Sequence, residues 1–167
     1  MLRYRRLNTE ELLALEDEFV KFLASQSISA PDWVKIKTEN KTRESELIDL
    51  FSNLVMDKVL SDIKYLELVT QDEIKVFHMS ENSGRLLGLS IKSKDINLSD
   101  DSQLNKLFSE PEKLISLNPK IYSLEKKYTK PKAEECFFLI NLGATITNDS
   151  IYKVLDSMVV KGNSKNV

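Results

Sequence analysis

Residues 63–92 decide the fold, and they read Ile-Lys-Tyr-Leu-Glu-Leu-Val-Thr (63–70), Gln-Asp (71–72), Glu-Ile-Lys-Val-Phe-His-Met (73–79), Ser-Glu-Asn-Ser-Gly (80–84) and Arg-Leu-Leu-Gly-Leu-Ser-Ile-Lys (85–92). Three apolar-rich runs alternate with two polar stretches typical of turns, which predicts a three-stranded antiparallel meander. In the second run, Phe77 and Met79 fall on the face opposite Ile74 and Val76. Both faces of that strand therefore carry apolar side chains. We expect helices to cover one face and something else to cover the other.

The residues before the meander carry helical periodicity. Asn8 with Glu11 three positions later is a capping-box pattern, and the apolar residues that follow it predict one helix to about residue 26. A second, short helix is expected to begin near Pro31. A third and longer helix is expected from about residue 42 to residue 60, and its apolar stripe is broad enough to place it at the centre of the fold.

The residues after the meander give weaker patterns. Residues 93–119 are mostly polar and predict a long connection or a mobile subdomain, with helical candidates at 102–108 and 112–117. A fourth strand is expected at 121–128, and two helices joined at Gly143 are expected at the C-terminus. The fold class is therefore α+β, with an N-terminal helical layer on a small antiparallel sheet, closed by a C-terminal helical hairpin. The expected single domain, 1–167, comprises a helical part (1–61), the sheet (62–128) and the hairpin (132–161).

Composition excludes several classes of function. The chain has 167 residues, 41% of them hydrophobic and 30% charged, with a formal net charge of -2, so no global field attracts nucleic acid or anionic membrane. One cysteine and one histidine provide neither an internal disulfide nor a zinc site. The acidic stretch that begins at Asp95 has no glycine at the sixth position of an EF-hand loop, because Asp100 stands there. No metal, no cofactor, no membrane span and no signal peptide are expected, which predicts a cytoplasmic protein.

No catalytic residue is predicted, although the chain contains two natural candidates. His78 is the natural general acid or base, but no acidic residue lies two positions away on its strand face to orient the ring. Cys136 follows two glutamates and precedes two phenylalanines, which favours a packed thiol over a reactive one. An enzyme that uses carboxylates, lysine and tyrosine in a pocket remains open, and a non-enzyme is favoured.

Charge placement along the chain is the main functional signal. A lysine- and tyrosine-rich segment, 120–132, suits contacts with RNA phosphates and bases, and it also suits a solvated edge strand on which lysine blocks aggregation. The predicted partner or nucleic-acid contacts are Arg3, Arg5, Arg6, Lys120, Tyr122, Lys126, Lys127, Tyr128, Lys130 and Lys132. An acidic run in the first helix is either its wet face or a docking face for a basic partner or a second copy, and it comprises Glu10, Glu11, Asp17 and Glu18.

The first third of the chain contains three distinctive motifs: Tyr-Arg-Arg-Leu (4–7), Glu-Phe-Val-Lys-Phe-Leu-Ala-Ser (18–25) and Ile-Ser-Ala-Pro-Asp-Trp (28–33). In these motifs it resembles a family of short proteins of unknown function in the Bacteroidota. The resemblance implies a bacterial cytosolic protein and brings no site residues with it.

Two binding functions follow from these observations. The leading interpretation is a non-enzymatic cytoplasmic protein-interaction module, which binds a protein partner or a second copy of itself, because residues for chemistry are scarce and charge is segregated. The alternative is an RNA- or ribosome-associated protein that uses the basic segment and the N-terminal arginines.

Overall fold

A computed structural model describes residues 1–163, and the side chains as far as residue 159. The chain divides into two compact units, the first of which is Met1–Val59 and the second of which begins at Leu60. The elements in chain order are α1 (Thr9–Ala14), α2 (Glu16–Ser25), α3 (Ala30–Glu39), α4 (Lys41–Ser61), β1 (Tyr65–Val69), β2 (Glu73–Met79), β3 (Ser83–Ser90), α5 (Asp101–Ser109), α6 (Pro111–Ser116), β4 (Lys120–Lys127), α7 (Lys132–Asn141), β5 (Thr145–Ile146) and α8 (Ser150–Asn163). The α+β class expected from the sequence is confirmed.

The first unit begins with two helices where the sequence predicts one. The capping box is present, since the Asn8 side chain accepts from the Glu11 N–H and the Glu11 carboxylate accepts from the Asn8 N–H. The helix then breaks at Leu15, whose φ of -111° and ψ of 26° are not helical. The prediction of a single helix to residue 26 is wrong because the apolar spacing continues in phase across this break.

Aromatic rings hold the first unit together. Phe19 lies 5.2 Å from Trp33 and 5.0 Å from Phe51 in edge-on arrangements, measured between ring centroids. On α4, Leu47 and Phe51 are buried, whereas Leu50, Leu54 and Val59 are exposed. The broad stripe predicts a helix at the centre of the fold, whereas the structure buries only part of it, because its apolar residues spread over more of the helix surface than the core covers.

The second unit is built on a five-stranded antiparallel sheet with the strand order β4-β3-β2-β1-β5. The predicted meander and the fourth strand are confirmed, and β5 was not predicted because it is only two residues long. The face that carries Ile74, Val76, Leu87 and Leu89 packs into the main core, and we call it the core face. The opposite face carries Phe77 and its neighbours in register on β1, β3 and β4, and we call it the groove face.

Helices α5, α6 and α8 supply the rest of this core. Residues 93–119 do more than connect strands, since the two predicted short helices form and bury Leu104, Leu107 and Leu114. On α8, Asp156 accepts a 2.7 Å hydrogen bond from Arg85 of β3. These contacts leave the groove face to other elements.

Helix α7 ends as the sequence predicts. Gly143 has a φ of +100°, and its N–H donates to the Ile140 carbonyl while the Ala144 N–H donates to the Leu139 carbonyl. This is the Schellman arrangement, which favours glycine because other residues are strained at positive φ. The Gly143 turn brings the chain to the edge of β1, where β5 pairs with Leu66 and Glu67.

Candidate functional site

A groove of about 430 Å³ lies between α7 and the groove face of the sheet. Helix α7 lies across this face, with Glu135 bonded to Lys126 of β4 at one end and Gly143 near Leu68 of β1 at the other. The apolar residues that line the groove are Phe77, Met79, Leu86, Leu124, Phe138 and Leu139. Gly84, Glu125, Lys126, Tyr128 and Glu135 complete the lining. Pockets of this size and lining are typical of sites for an apolar ligand group or a partner side chain.

Tyr122 of β4 and Tyr128, which directly follows β4, cover two glycines of β3 on the groove face. Tyr122 stands opposite Gly88, and a Cβ added to Gly88 would lie 2.1 Å from the Tyr122 ring. The Tyr122 hydroxyl donates a 2.6 Å hydrogen bond to Glu73, and burial followed by that bond raises the pKa of Tyr122 to about 12. Tyr128 lies over Gly84 in the same way, with its hydroxyl 3.0 Å from an added Cβ. The small residues thus make room for rings that fix the floor of the groove.

One ion pair closes the end of the groove. Lys126 Nζ lies 2.8 Å from Glu135 Oε2, and the lysine side chain is 61% exposed whereas the glutamate side chain is 11% exposed. Beside it, burial and, to a smaller extent, the charge of Glu135 raise the pKa of Tyr128 to about 12 and that of Cys136 to about 11. The thiol is therefore protonated and packed, as the sequence indicates.

Two large apolar side chains stand at the rim of the groove. Leu124 on β4 is 60% exposed and Phe138 on α7 is 58% exposed. Covering such side chains completely stabilises a contact by about 1.5–3 kcal/mol each, so the rim alone offers a partner about 2–3 kcal/mol.

Among residues 1–163, strand β4 is the last strand on its side of the sheet, so one of its backbone edges is open. The Tyr128 N–H donates to the Asn82 carbonyl, which fixes the even-numbered residues of β4 as those hydrogen-bonded to β3. The N–H and C=O groups of Ile121, Ser123, Glu125 and Lys127 consequently point to the open edge. Residues 124–127 are exposed.

The three predicted arginine contacts are paired with carboxylates inside the first unit. Arg3 pairs with Asp57, Arg5 with Glu11 at 2.7 Å, and Arg6 with Asp49 at 2.6 Å. Their charges are therefore offset locally. The predicted lysines lie in the second unit.

Most of the predicted lysines are available on or just after β4. Lys120, Lys127 and Lys130 are exposed, Lys132 is partly buried, and within residues 1–159 no ion pair is formed by any of these four. The tyrosines of the same segment are engaged, since Tyr122 bonds Glu73 and the Tyr128 hydroxyl lies 3.7 Å from the Met79 sulfur. The segment therefore presents positive charge with its rings already packed.

The predicted acidic residues lie on the first two helices, where one of them is hydrogen-bonded and the other three are exposed. Glu11 is committed to the capping box and to Arg5, and these bonds lower its pKa to about 2. Glu10, Asp17 and Glu18 are exposed, and all three lie in first helical turns, where the helix dipole favours negative charge.

The remaining candidates belong to the packing of the fold. His78 stacks on Tyr65 with 5.0 Å between ring centroids, and Tyr152 of α8 lies 5.6 Å away. Over the described part of the chain, no group of three or more potential ligands could hold a metal ion. Among the helices of residues 1–163, none is long and apolar enough to cross a membrane.

Sequence reasoning missed the α7 side of the groove. Glu135, Phe138 and Leu139 follow one another at helical spacing on α7, but the sequence does not show which strand they meet. The signal that was present is the second apolar face of β2, which carries Phe77 and Met79 and predicts a further cover for the sheet.

These features define an α+β protein with an apolar groove beside an open sheet edge. Residues 1–160 match the family model described as "Family of unknown function (DUF6495)", and the chain belongs to that family. The match extends well beyond the N-terminal third that carries the sequence resemblance. No curated protein and no solved structure matches the chain.

Proposed function

We propose that the chain is a non-enzymatic protein-interaction module of the bacterial cytoplasm, and that the groove is its binding site. The observation that carries this proposal is a groove of about 430 Å³ whose rim exposes Leu124 and Phe138. Large apolar side chains grouped around a concavity are a common mark of an interaction site. The bacterial setting rests on the resemblance of the first third of the chain, and a single cysteine suits a reducing compartment.

The chemistry of the groove favours binding over catalysis. Its lysine and its buried glutamate, Lys126 and Glu135, are bonded to each other. The phenol of Tyr128 has a pKa near 12, so it stays protonated at neutral pH. A catalytic acid or base that works at neutral pH needs a pKa near 7, and the pKa of this phenol is far higher.

Affinity purification from cells that naturally express the protein tests the proposal. We expect one stoichiometric partner with the tagged wild-type chain, and a loss of at least tenfold in its recovery with Leu124→Asp or Phe138→Asp. Ile115→Asp is the matched control, because Ile115 on α6 is 59% exposed but does not line the groove. Circular dichroism checks that all three variants are folded. Equal recovery with all three variants would contradict the groove as the binding site.

RNA binding is the second candidate, supported by the exposed lysines of β4 and of the segment after it. Because the tyrosines are packed, such binding would rest on lysine–phosphate contacts and would weaken steeply between low and physiological salt. Filter binding of single-stranded RNA to the wild type and to Lys126→Glu/Lys127→Glu measures it. Affinity that does not change with salt, or between the two proteins, would remove this candidate.

A further inference from the structure

We propose that the groove takes an extended acidic segment of a partner protein, which adds to the sheet as a new strand beside β4. This inference rests on the proposed function and specifies the conformation and charge of the partner. Three observations carry it: the unpaired edge of β4, the excess of lysine over glutamate on and just after this strand, and the groove on one side of it.

The backbone supplies the first part of the site. The odd-numbered residues of β4 direct their N–H and C=O groups away from β3. These groups are already aligned to pair with an additional strand, which would supply the complementary donors and acceptors. An extended chain completes such an edge by main-chain hydrogen bonds, which is a general mode of peptide recognition. A helix laid in the groove would leave these groups to water.

Charge decides which chain fits the edge. Residues 120–132 contain five lysines, Lys120, Lys126, Lys127, Lys130 and Lys132, against one glutamate, Glu125. A second copy that paired through β4 would bring lysine rows together, which disfavours self-association. Three of these lysines lie on β4 itself, at its two ends, and an acidic strand meets the opposite sign at Lys120, Lys126 and Lys127.

The groove decides where the apolar residue of the partner falls. Lys120, Tyr122, Leu124 and Lys126 alternate on the groove face of β4. The partner residue opposite Leu124 points into the groove. The residues opposite Lys120 and Lys126 lie beside an ammonium group, and that of Lys126 is shared with Glu135. The preferred segment therefore has an apolar residue opposite Leu124. An acidic residue stands two positions before it and another stands four positions after it, both on the same face of the strand.

A synthetic probe follows from the antiparallel register. The peptide is Glu-Glu-Thr-Leu-Thr-Val-Thr-Glu, with its N-terminus acetylated and its C-terminus amidated. In the antiparallel register its first residue lies opposite Lys127, its leucine opposite Leu124 and its last residue opposite Lys120. The control peptide replaces each Glu with Lys and keeps the apolar residues. We expect the acidic peptide to bind the full chain at least tenfold more tightly than the lysine peptide at low salt, since each contact changes from attraction to repulsion. Equal binding, or none, would overturn the proposal.

Amide hydrogen exchange reads the position of the added strand. In the free chain, we expect the amides of Ile121, Ser123, Glu125 and Lys127 to exchange rapidly and those of the even-numbered residues to be protected. The acidic peptide should slow exchange at the odd positions by at least tenfold and leave the even positions unchanged. Protection with no odd-even pattern would contradict strand addition.

A proline variant separates this inference from the proposed function. Glu125→Pro removes an N–H that points to the open edge and keeps the bonds to β3, whereas Glu125→Ala removes only the side chain. We expect Glu125→Pro to lose at least tenfold in peptide affinity and Glu125→Ala to bind within threefold of the wild type. If Leu124→Asp abolishes partner recovery while Glu125→Pro retains it, the groove binds a partner that is not a strand. If single-stranded RNA binds and the acidic peptide does not, the lysines serve nucleic acid and the proposal fails.

Discussion

Replacing Gly88 with alanine should destabilise the second unit, because the Tyr122 ring occupies the space of the missing side chain. The added Cβ would lie 2.1 Å from Tyr122 Cζ and 2.5 Å from its hydroxyl, so the ring has to leave its position. Its departure breaks the 2.6 Å hydrogen bond to Glu73. A hydrogen bond to a charged group contributes about 1.5–3 kcal/mol.

The net cost of Gly88→Ala combines three contributions. Partial exposure of the displaced ring adds about 1 kcal/mol to the loss of the hydrogen bond. The better strand propensity of alanine offsets about 0.5–1 kcal/mol. We therefore expect the free energy of unfolding to fall by about 2–3 kcal/mol. Gly84→Ala is the matched control, because the nearest atom to its added Cβ is the Tyr128 hydroxyl at 3.0 Å, which can shift at a cost of about 1 kcal/mol or less.

Urea unfolding measures both variants, and a double-mutant cycle tests the mechanism. In a Tyr122→Ala background the alanine at position 88 meets no ring, so its cost should drop below about 1 kcal/mol. Equal destabilisation by Gly88→Ala and Gly84→Ala would refute the reasoning. An undiminished cost in the Tyr122→Ala background would refute it as well.

Three further predictions concern single contacts. Hydrogen bonds from Arg5 and from the Asn8 backbone hold the pKa of Glu11 at about 2, so Arg5→Ala should raise that pKa in an NMR titration. The contribution of the ionised Glu11 to stability is complete above the ordinary carboxyl pKa and is lost as the pH falls towards 2. Cys136, with a pKa raised to about 11 by burial, should react with a thiol reagent at pH 8 at least a hundredfold more slowly in the folded chain than in guanidinium; similar rates would contradict its burial. Gly143→Ala should cost about 1 kcal/mol in urea unfolding because φ is +100°, and a neutral effect would contradict the left-handed cap.

The sequence predicts the sheet well because its signals are local. The alternation of Ile74 and Val76 with Phe77 and Met79, bounded by polar turns, is enough to define β2 and its neighbours. Gly84 is different: the pattern places it in a turn, whereas the structure places it inside β3 under the Tyr128 ring. That contact joins two segments far apart in the chain, and spacing within either segment cannot reveal it.

The site was predictable in part for the same reason. The lysine-rich segment predicts either a binding surface or an edge strand, and β4 is an edge strand. The roles of Tyr122 and Tyr128 were not predictable, because a tyrosine free to stack on a base and a tyrosine packed over glycine have the same sequence pattern. The groove itself needs α7 to cross the sheet, which only the tertiary structure shows.

Photo-crosslinking inside cells that naturally express the protein tests the central claim most directly. A benzoylphenylalanine is placed in turn at Leu124, at Phe138 and, as the control of equal exposure, at Ile115. We predict one adduct of the same mass from the two groove positions and none from position 115. An adduct of equal yield from all three positions, or from position 115 alone, would contradict the assignment of the groove as the binding surface.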